Sequence, residues 1–164
     1  MTTVNLTLDD EAGTLAAGAR LAAELRGGMV ITLSGDLGAG KTTLVRGCLN
    51  ALGWQGSVKS PSYTLVEHYQ FSSLYFYHFD FYRFADPIEW ETAGFSECFR
   101  ADAVCVIEWP ERVAGMLPVP DLAATLRYPA AAAASGRQLA LWAQSQGGER
   151  CLTAMTSTGV RSKA

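Results

Sequence analysis

Residues 35–43 read Gly-Asp-Leu-Gly-Ala-Gly-Lys-Thr-Thr. They fit G-x-x-x-x-G-K-[ST], the pattern of a phosphate-binding loop, and their surroundings agree with it. An apolar, β-rich run, Met29-Val30-Ile31-Thr32-Leu33, comes before, and a helical pattern from Lys41 to Leu52 comes after. The glycines let the chain bend so that successive backbone N–H groups face inward as an anion nest. The new helix aims its free N–H groups and the positive end of its dipole at the same point. In such a loop the amides of Gly38, Ala39, Gly40, Lys41, Thr42 and Thr43 cradle phosphates. The Lys41 ammonium reaches the β- and γ-phosphates, and the Thr42 hydroxyl ligates Mg²⁺.

The rest of the chain must supply a sheet around that strand and the acids that complete the site. At 164 residues, 49% of them apolar, the chain reads as one domain with a real core. The unit is expected over residues 1–156, with a polar, frayed tail at 157–164. A net charge of −3 favours no global field for nucleic acid, so DNA is not an expected partner. The four cysteines, Cys48, Cys98, Cys105 and Cys151, show no C-x-x-C spacing and read as reduced, mostly buried thiols. No uncharged run reaches the roughly 18 residues of a membrane span. The N-terminus shows no basic region followed by an apolar one. The expectation is a soluble, cytoplasmic protein without a membrane partner.

Around the loop, alternation predicts a strand over 3–8, then a helix over 9–26 with Asp9, Asp10 and Glu11 in its first turn. That helix would turn Leu15, Ala19, Ala22 and Ala23 inward. Residues 64–69 and 74–79 read as a hairpin, and 86–93 as a short helix with Asp86 at the cap and Pro87 first. Ala103 to Ile107 is a continuous apolar run, the mark of a buried central strand. A turn or loop over 110–117 follows. Residues 121–128 and 137–144 read as strands joined by an alanine-rich connection, and 149–156 as a terminal helix.

Two of these strands end on an acid. Tyr75-Phe76-Tyr77-His78-Phe79 leads to Asp80, and Val104-Cys105-Val106-Ile107 leads to Glu108. In the parallel part of an α/β sheet, strand ends and the phosphate loop share a rim, so both acids face one nucleotide. Glu108 is assigned to the metal shell, directly or through water, and Asp80 to metal contact or water orientation. The two roles are exchangeable at this stage. His78 shares a face with Asp80 and either senses the γ-phosphate or bonds within the core. Arg83 and Arg112 divide between phosphate or partner contacts and structural ion pairs, and Trp109 adjoins Glu108.

Four motifs now stand in order: 35–43; Ser-Pro-Ser-Tyr-Thr-Leu at 60–65; His-Phe-Asp-Phe-Tyr-Arg at 78–83; and Ile-Glu-Trp-Pro-Glu-Arg at 107–112. Together they closely resemble the TsaE (YjeE) family, over about residues 5–140. The first motif is generic, and the other three at this spacing are specific. The resemblance implies a compact P-loop NTPase-like α/β domain with a mixed central β-sheet flanked by helices. It implies ATP and Mg²⁺ as cofactors and slow ATP hydrolysis by the protein alone. The family's function is the threonylcarbamoyladenosine modification of tRNA, performed with the TsaB–TsaD pair, so tRNA is met indirectly through the complex. The pair transfers the group, and hydrolysis resets the complex between turnovers. By residue, the resemblance implies that Lys41, Asp80 and Glu108 are catalytic, that Thr42 and Glu108 hold the metal, and that 60–65 is switch-like. Glu11 and Arg137 match positions near the nucleotide base. Ser62 stands where the family usually has threonine, and both keep a hydroxyl.

Two other functions fit a phosphate loop in a chain this short. One is a small-molecule kinase, for which Arg100, Arg112 or Arg137 would supply a lid arginine. The other is a nucleotide-gated binding module without turnover of its own. A GTPase does not fit, because neither asparagine, Asn5 nor Asn50, opens an N-K-x-D motif.

Overall fold

A computed structural model describes residues 2–131 and 135–157. Residues 132–134 of the alanine-rich connection and 158–164 of the expected tail lie outside the described residues.

Seven strands form one mixed sheet: β1 (Thr3–Leu8), β2 (Val30–Ser34), β3 (Val66–Gln70), β4 (Tyr75–Asp80), β5 (Ala103–Glu108), β6 (Leu122–Arg127) and β7 (Arg137–Ala143). Their order is β1-β7-β6-β2-β5-β4-β3. The middle four, β6-β2-β5-β4, are parallel, and the flanking pairings β6–β7, β7–β1 and β4–β3 are antiparallel. All six residues of β5 are buried, as the apolar run predicts for a strand covered on both faces. Helices α1 (Glu11–Ala22), α2 (Lys41–Ala51) and α4 (Gln146–Thr156) cover one face with a core that includes Ile31, Leu33, Val104 and Val106. The short α3 (Ile88–Thr92) and 3-10 turns at Phe95–Cys98 and Pro110–Val113 cover the other. There Phe79, Phe81, Trp90 and Phe95 pack edge-on and stacked.

Register places the site. Asp80 pairs with Glu108 across β4–β5, and Glu108 with Leu33 across β5–β2. Both acids therefore end their strands at the rung from which the phosphate loop departs.

Three expectations about elements need correction. First, α1 begins at Glu11 and ends at Ala22, short of 26. Asp10 is its cap, with Oδ1 accepting from Gly13 N at 2.8 Å, and the Glu24 and Leu25 amides bond three residues back to close it. Its buried face is Thr14, Ala17, Gly18, Leu21 and Ala22, while Ala19 is exposed. The seam with α2 is made by glycine: a Cβ at Gly18 would lie 2.2 Å from Leu44 O, and one at Gly47 would lie 2.3 Å from Leu15 O. The helices thus touch backbone to backbone, and the large apolar residues do not mark the face. Second, β3 starts at Val66 because Leu65 adopts φ 68°. Third, α4 starts three residues earlier than 149. Ser145 caps it by accepting from Gly148 N at 3.1 Å, and Gly148 packs where any Cβ would strike Asp121 O. The short helix near 86–93 is present as Ile88–Thr92, with Pro87 rather than Asp86 at its cap position. Asp86, one residue upstream of the cap, accepts from Ile88 N at Oδ1.

The α1–α2 contact supports a prediction. Alanine in a helix interior normally gains about 0.5–1 kcal/mol over glycine. At Gly47 the overlap with Leu15 O outweighs this, and overpacking of this kind costs roughly 1–3 kcal/mol. Gly47→Ala is expected to lower the urea midpoint, whereas Gly53→Ala, with open space around its Cβ but φ 104°, pays only the conformational cost. A Gly47→Ala midpoint at the wild-type value would refute the backbone-contact account.

The cysteines are as expected. Cys48, Cys105 and Cys151 are buried and free, and Cys98 is half-buried. Burial pushes the Cys48 and Cys105 thiols up to about 12 and Cys151 to about 11. Thiolates are the reactive form. Iodoacetamide at neutral pH should therefore leave these three unlabelled in the folded protein; rapid labelling of Cys48 without unfolding would contradict it.

Candidate nucleotide site

The loop is built as its sequence predicts. Gly35, Gly38 and Gly40 take φ 139°, 75° and 107°, conformations open to glycine and strained for other residues. At Gly35 an added Cβ would also strike Leu126 O. Ala39 N donates to Asp36 O, and the first bond of α2 runs from Leu44 N to Gly40 O. Among the described residues, the amides of Gly40, Lys41, Thr42 and Thr43 have no acceptor within the protein. Four free donors at a helix start are a cradle of the kind an anion fills.

Lys41 is 5% exposed, and its Nζ folds back on the loop, donating to Gly35 O at 2.5 Å and Asp36 O at 2.8 Å. The Trp109 ring caps it, with 4.5 Å from Nζ to the centroid. Burial pulls the Lys41 ammonium below the usual lysine range, and Glu108, then Asp80, Glu111 and Asp36, oppose that shift. Trp109 itself is held at φ 59°, between Glu108 and the 3-10 turn at Pro110.

The two acids are joined to the loop and to each other. Thr42 Oγ1 lies 3.1 Å from both Glu108 oxygens. Ser60 Oγ donates to Asp80 Oδ2 and lies 3.4 Å from Glu108 Oε2. Asp80 Oδ1 accepts from Tyr82 N at 2.9 Å. Glu108 and Asp80 are 2% and 5% exposed. A buried carboxylate is stable only when hydrogen-bonded or near positive charge, and here hydroxyls, an amide and Lys41 serve. The Leu65 turn, bonded from its N to Pro61 O and accepting Asp80 N at its own O, carries the 60–65 segment to the acids. Its positive φ costs about 1–2 kcal/mol, which the surrounding bonds offset.

These groups line a cavity of about 520 Å³, with Gly38 and Gly40 to Thr43 on one wall and Ser60, Ser62, Asp80 and Glu108 on the other. Arg83 reaches its rim and stacks on the exposed Tyr63 ring at 4.4 Å. Arg112 does not line it; its guanidinium lies over Tyr82 at 5.7 Å. A second cavity of about 270 Å³ opens on the other flank of the loop, between Glu11 and Arg137. Arg137 anchors there on the loop, donating to Ala39 O at 3.1 Å and Gly38 O at 3.3 Å, and stacks on Tyr128. The structure thus brings the loop residues 38–43, Asp80, Glu108, Glu11 and Arg137 together in two adjoining cavities, and leaves Arg112 outside them.

His78 does not reach the cavity. It is fully buried, and its Nε2 lies 2.7 Å from Glu108 Oε2. Of the two roles open to it in the sequence, the structure places it in the core, bonded to the acid. Sequence reasoning did not find the Ser60 bridge between the acids, because it depends on the path of a loop with no periodic signal.

The residues present fit a magnesium nucleotide. Among the described residues no three His, Cys, Asp or Glu side chains gather as a metal cage. Magnesium at nucleotide sites draws instead on one or two protein oxygens, phosphates and water, which suits the Thr42 hydroxyl beside the Glu108 carboxylate.

Comparisons with known proteins place the chain by family and fold. The profile of the family described as Threonylcarbamoyl adenosine biosynthesis protein TsaE matches residues 8–139. A Haemophilus influenzae protein named tRNA threonylcarbamoyladenosine biosynthesis protein TsaE is 44% identical over 129 residues, 79% of each chain. A Treponema pallidum protein of the same name is 43% identical over 103 residues, 63% of this chain and 76% of its own. The crystal structure of Bacillus subtilis YdiB superposes with a TM-score of 0.75 at 27% identity, covering 94% of each chain.

Proposed function

The chain belongs to the TsaE family of tRNA threonylcarbamoyladenosine biosynthesis proteins, and from that premise we propose that it binds and hydrolyses ATP with Mg²⁺ to support the TsaB–TsaD pair. The pair performs the group transfer, and this chain's hydrolysis sustains turnover. The observation that carries the reading is the Thr42–Glu108–Ser60–Asp80 network beside four free loop amides. It puts an anion cradle, a metal-ready hydroxyl and two acids within one cavity.

The residues divide the work. The loop amides and Lys41 bind the phosphates. On nucleotide arrival Lys41 leaves the Gly35 and Asp36 carbonyls for the β- and γ-phosphate oxygens. Thr42 and Glu108 would hold magnesium, whose chemistry there is to neutralise charge on those oxygens. Asp80, fixed at both oxygens, supports hydrolysis from a set position, contacting metal or orienting water. Glu11 and Arg137 flank the base in the second cavity. The protein meets tRNA only through the complex.

The kinase alternative loses its lid. Arg100 lies by the start of β5, over Tyr75 and paired with Asp102, away from the rim. Arg112 and Arg137 are held on Tyr82 and on the loop carbonyls. Among the described residues the arginine at the cavity rim is Arg83, which stacks on Tyr63, and none of these three takes that place.

Trp109 offers the test, because its ring contacts the Lys41 ammonium that must move. Titration with ATP and Mg²⁺ should change tryptophan fluorescence saturably, GTP should bind at least about 10-fold more weakly, and Arg137→Ala should narrow that preference. Equal affinity for ATP and GTP would sink the base-side assignment, and no binding of either would sink the function.

A further inference from the structure

His78 carries chemistry that the proposed mechanism does not use. It is fully buried on β4, two residues before Asp80 and opposite Val106, which stands two residues before Glu108. Its Nε2 lies 2.7 Å from Glu108 Oε2, while its Nδ1 is buried without a partner among the described residues. A histidine placed only for packing would have both nitrogens satisfied, or would be an apolar ring. Here one nitrogen is left unpaired while the other holds the acid.

Glu108 needs that hold. Its carboxylate ends a strand and turns about its own side-chain bonds. Thr42 Oγ1 is equidistant from both oxygens and does not choose between them, and Ser60 Oγ already donates to Asp80. Among the described residues His78 alone makes a short contact to one named oxygen. With Glu108 ionised, Nε2 carries the proton and donates it, and Oε2 is held on the β4 side. Oε1 then keeps only the Thr42 hydroxyl as a partner among the described residues. Without this anchor no partner among the described residues selects which oxygen the carboxylate presents.

We propose that His78 is a positioning residue that sets the Glu108 carboxylate for the divalent cation accompanying the nucleotide. The inference rests on the reading of Glu108 as part of the metal shell. Partners that orient metal-site groups are worth about 10–100-fold in metal affinity or activity.

Calorimetric affinity for β,γ-imido-ATP, measured in EDTA and in excess Mg²⁺, isolates the effect. In EDTA, His78→Leu should bind within about twofold of wild type, since the loop and Lys41 are untouched. In Mg²⁺ it should bind at least about 10-fold more weakly, and His78→Gln, whose amide nitrogen falls near the Nε2 position, should recover most of the gain. Wild-type affinity of His78→Leu in Mg²⁺ would overturn the proposal, as would an equal loss in EDTA and in Mg²⁺. If His78→Leu does not fold, His78→Asn replaces it. Asparagine is polar but too short to reach Oε2, so it should lose the magnesium gain that His78→Gln keeps, and equal values for the two would overturn the proposal. Glu108→Gln in parallel separates the two readings. If it keeps the full magnesium gain, the Glu108 reading fails and this inference with it. If it loses the gain while His78→Leu keeps it, only the role of His78 fails.

Discussion

Lys41→Ala is expected to leave a folded protein that no longer binds ATP productively, with hydrolysis reduced by about 100-fold or more. The magnitude follows from removing a cation aimed at developing phosphate charge in a water-poor cavity, where one lost donor already costs about 100–1,000-fold. The fold should survive, because Lys41 stabilises it little. Its ammonium is buried against its tendency to ionise, and its bonds run only to the Gly35 and Asp36 carbonyls of its own loop. The same burial fixes the sign of a pH effect. The folded pKa lies below the unfolded value of 10.5, so between the two the unfolded chain holds more protons. Stability of the wild type relative to Lys41→Ala should therefore rise with pH across that window and level off above 10.5. Circular dichroism, denaturation midpoints and ATP binding check the three statements. Normal ATP binding by a folded Lys41→Ala protein would remove the lysine from the site.

Glu108→Gln should abolish magnesium-dependent hydrolysis, by about 100-fold or more, while nucleotide still binds in EDTA. The amide has the shape of the carboxylate, so packing on β5 is retained. What changes is the charge and the acceptor set. One end of the amide becomes an N–H₂ group, which the Thr42 hydroxyl oxygen or His78 Nε2 in its other tautomer must accept. The variant therefore loses a metal-shell anion and reverses a buried hydrogen bond. Asp80→Asn should be milder in magnesium dependence, because Asp80 is tied to Ser60 and Tyr82 N rather than to Thr42. Magnesium titrations of both variants separate the roles that remained interchangeable in the sequence. A greater magnesium defect in Asp80→Asn would swap them.

The loop was legible because its chemistry leaves few residue choices: glycine where φ is positive, lysine at the helix start, a hydroxyl next. The acids were legible because Tyr75–Phe79 and Val104–Ile107 are apolar runs that stop on a charge, and parallel strands end on one rim. Three features were not. The α1 face was misphased because Gly18 and Gly47 pack by having no side chain, which a reading of large apolar residues passes over. The start of α4 was missed because Gly147-Gly148 resembles a loop, although Ser145 caps it and the Asp121 carbonyl requires glycine at 148. The partner of His78 depends on the β4–β5 register, Asp80 against Glu108, and period two gives a side chain's face but not its neighbour. Fold and loop follow from local pattern, whereas the connections among Ser60, His78, Asp80 and Glu108 follow from tertiary pairing.

The most direct test of the central claim is ATP hydrolysis by the purified protein, alone and with the TsaB–TsaD pair, with Lys41→Ala alongside. The account predicts weak, magnesium-dependent hydrolysis that rises when the pair is added and disappears in the variant. Hydrolysis indifferent to the pair, or retained by Lys41→Ala, would contradict it.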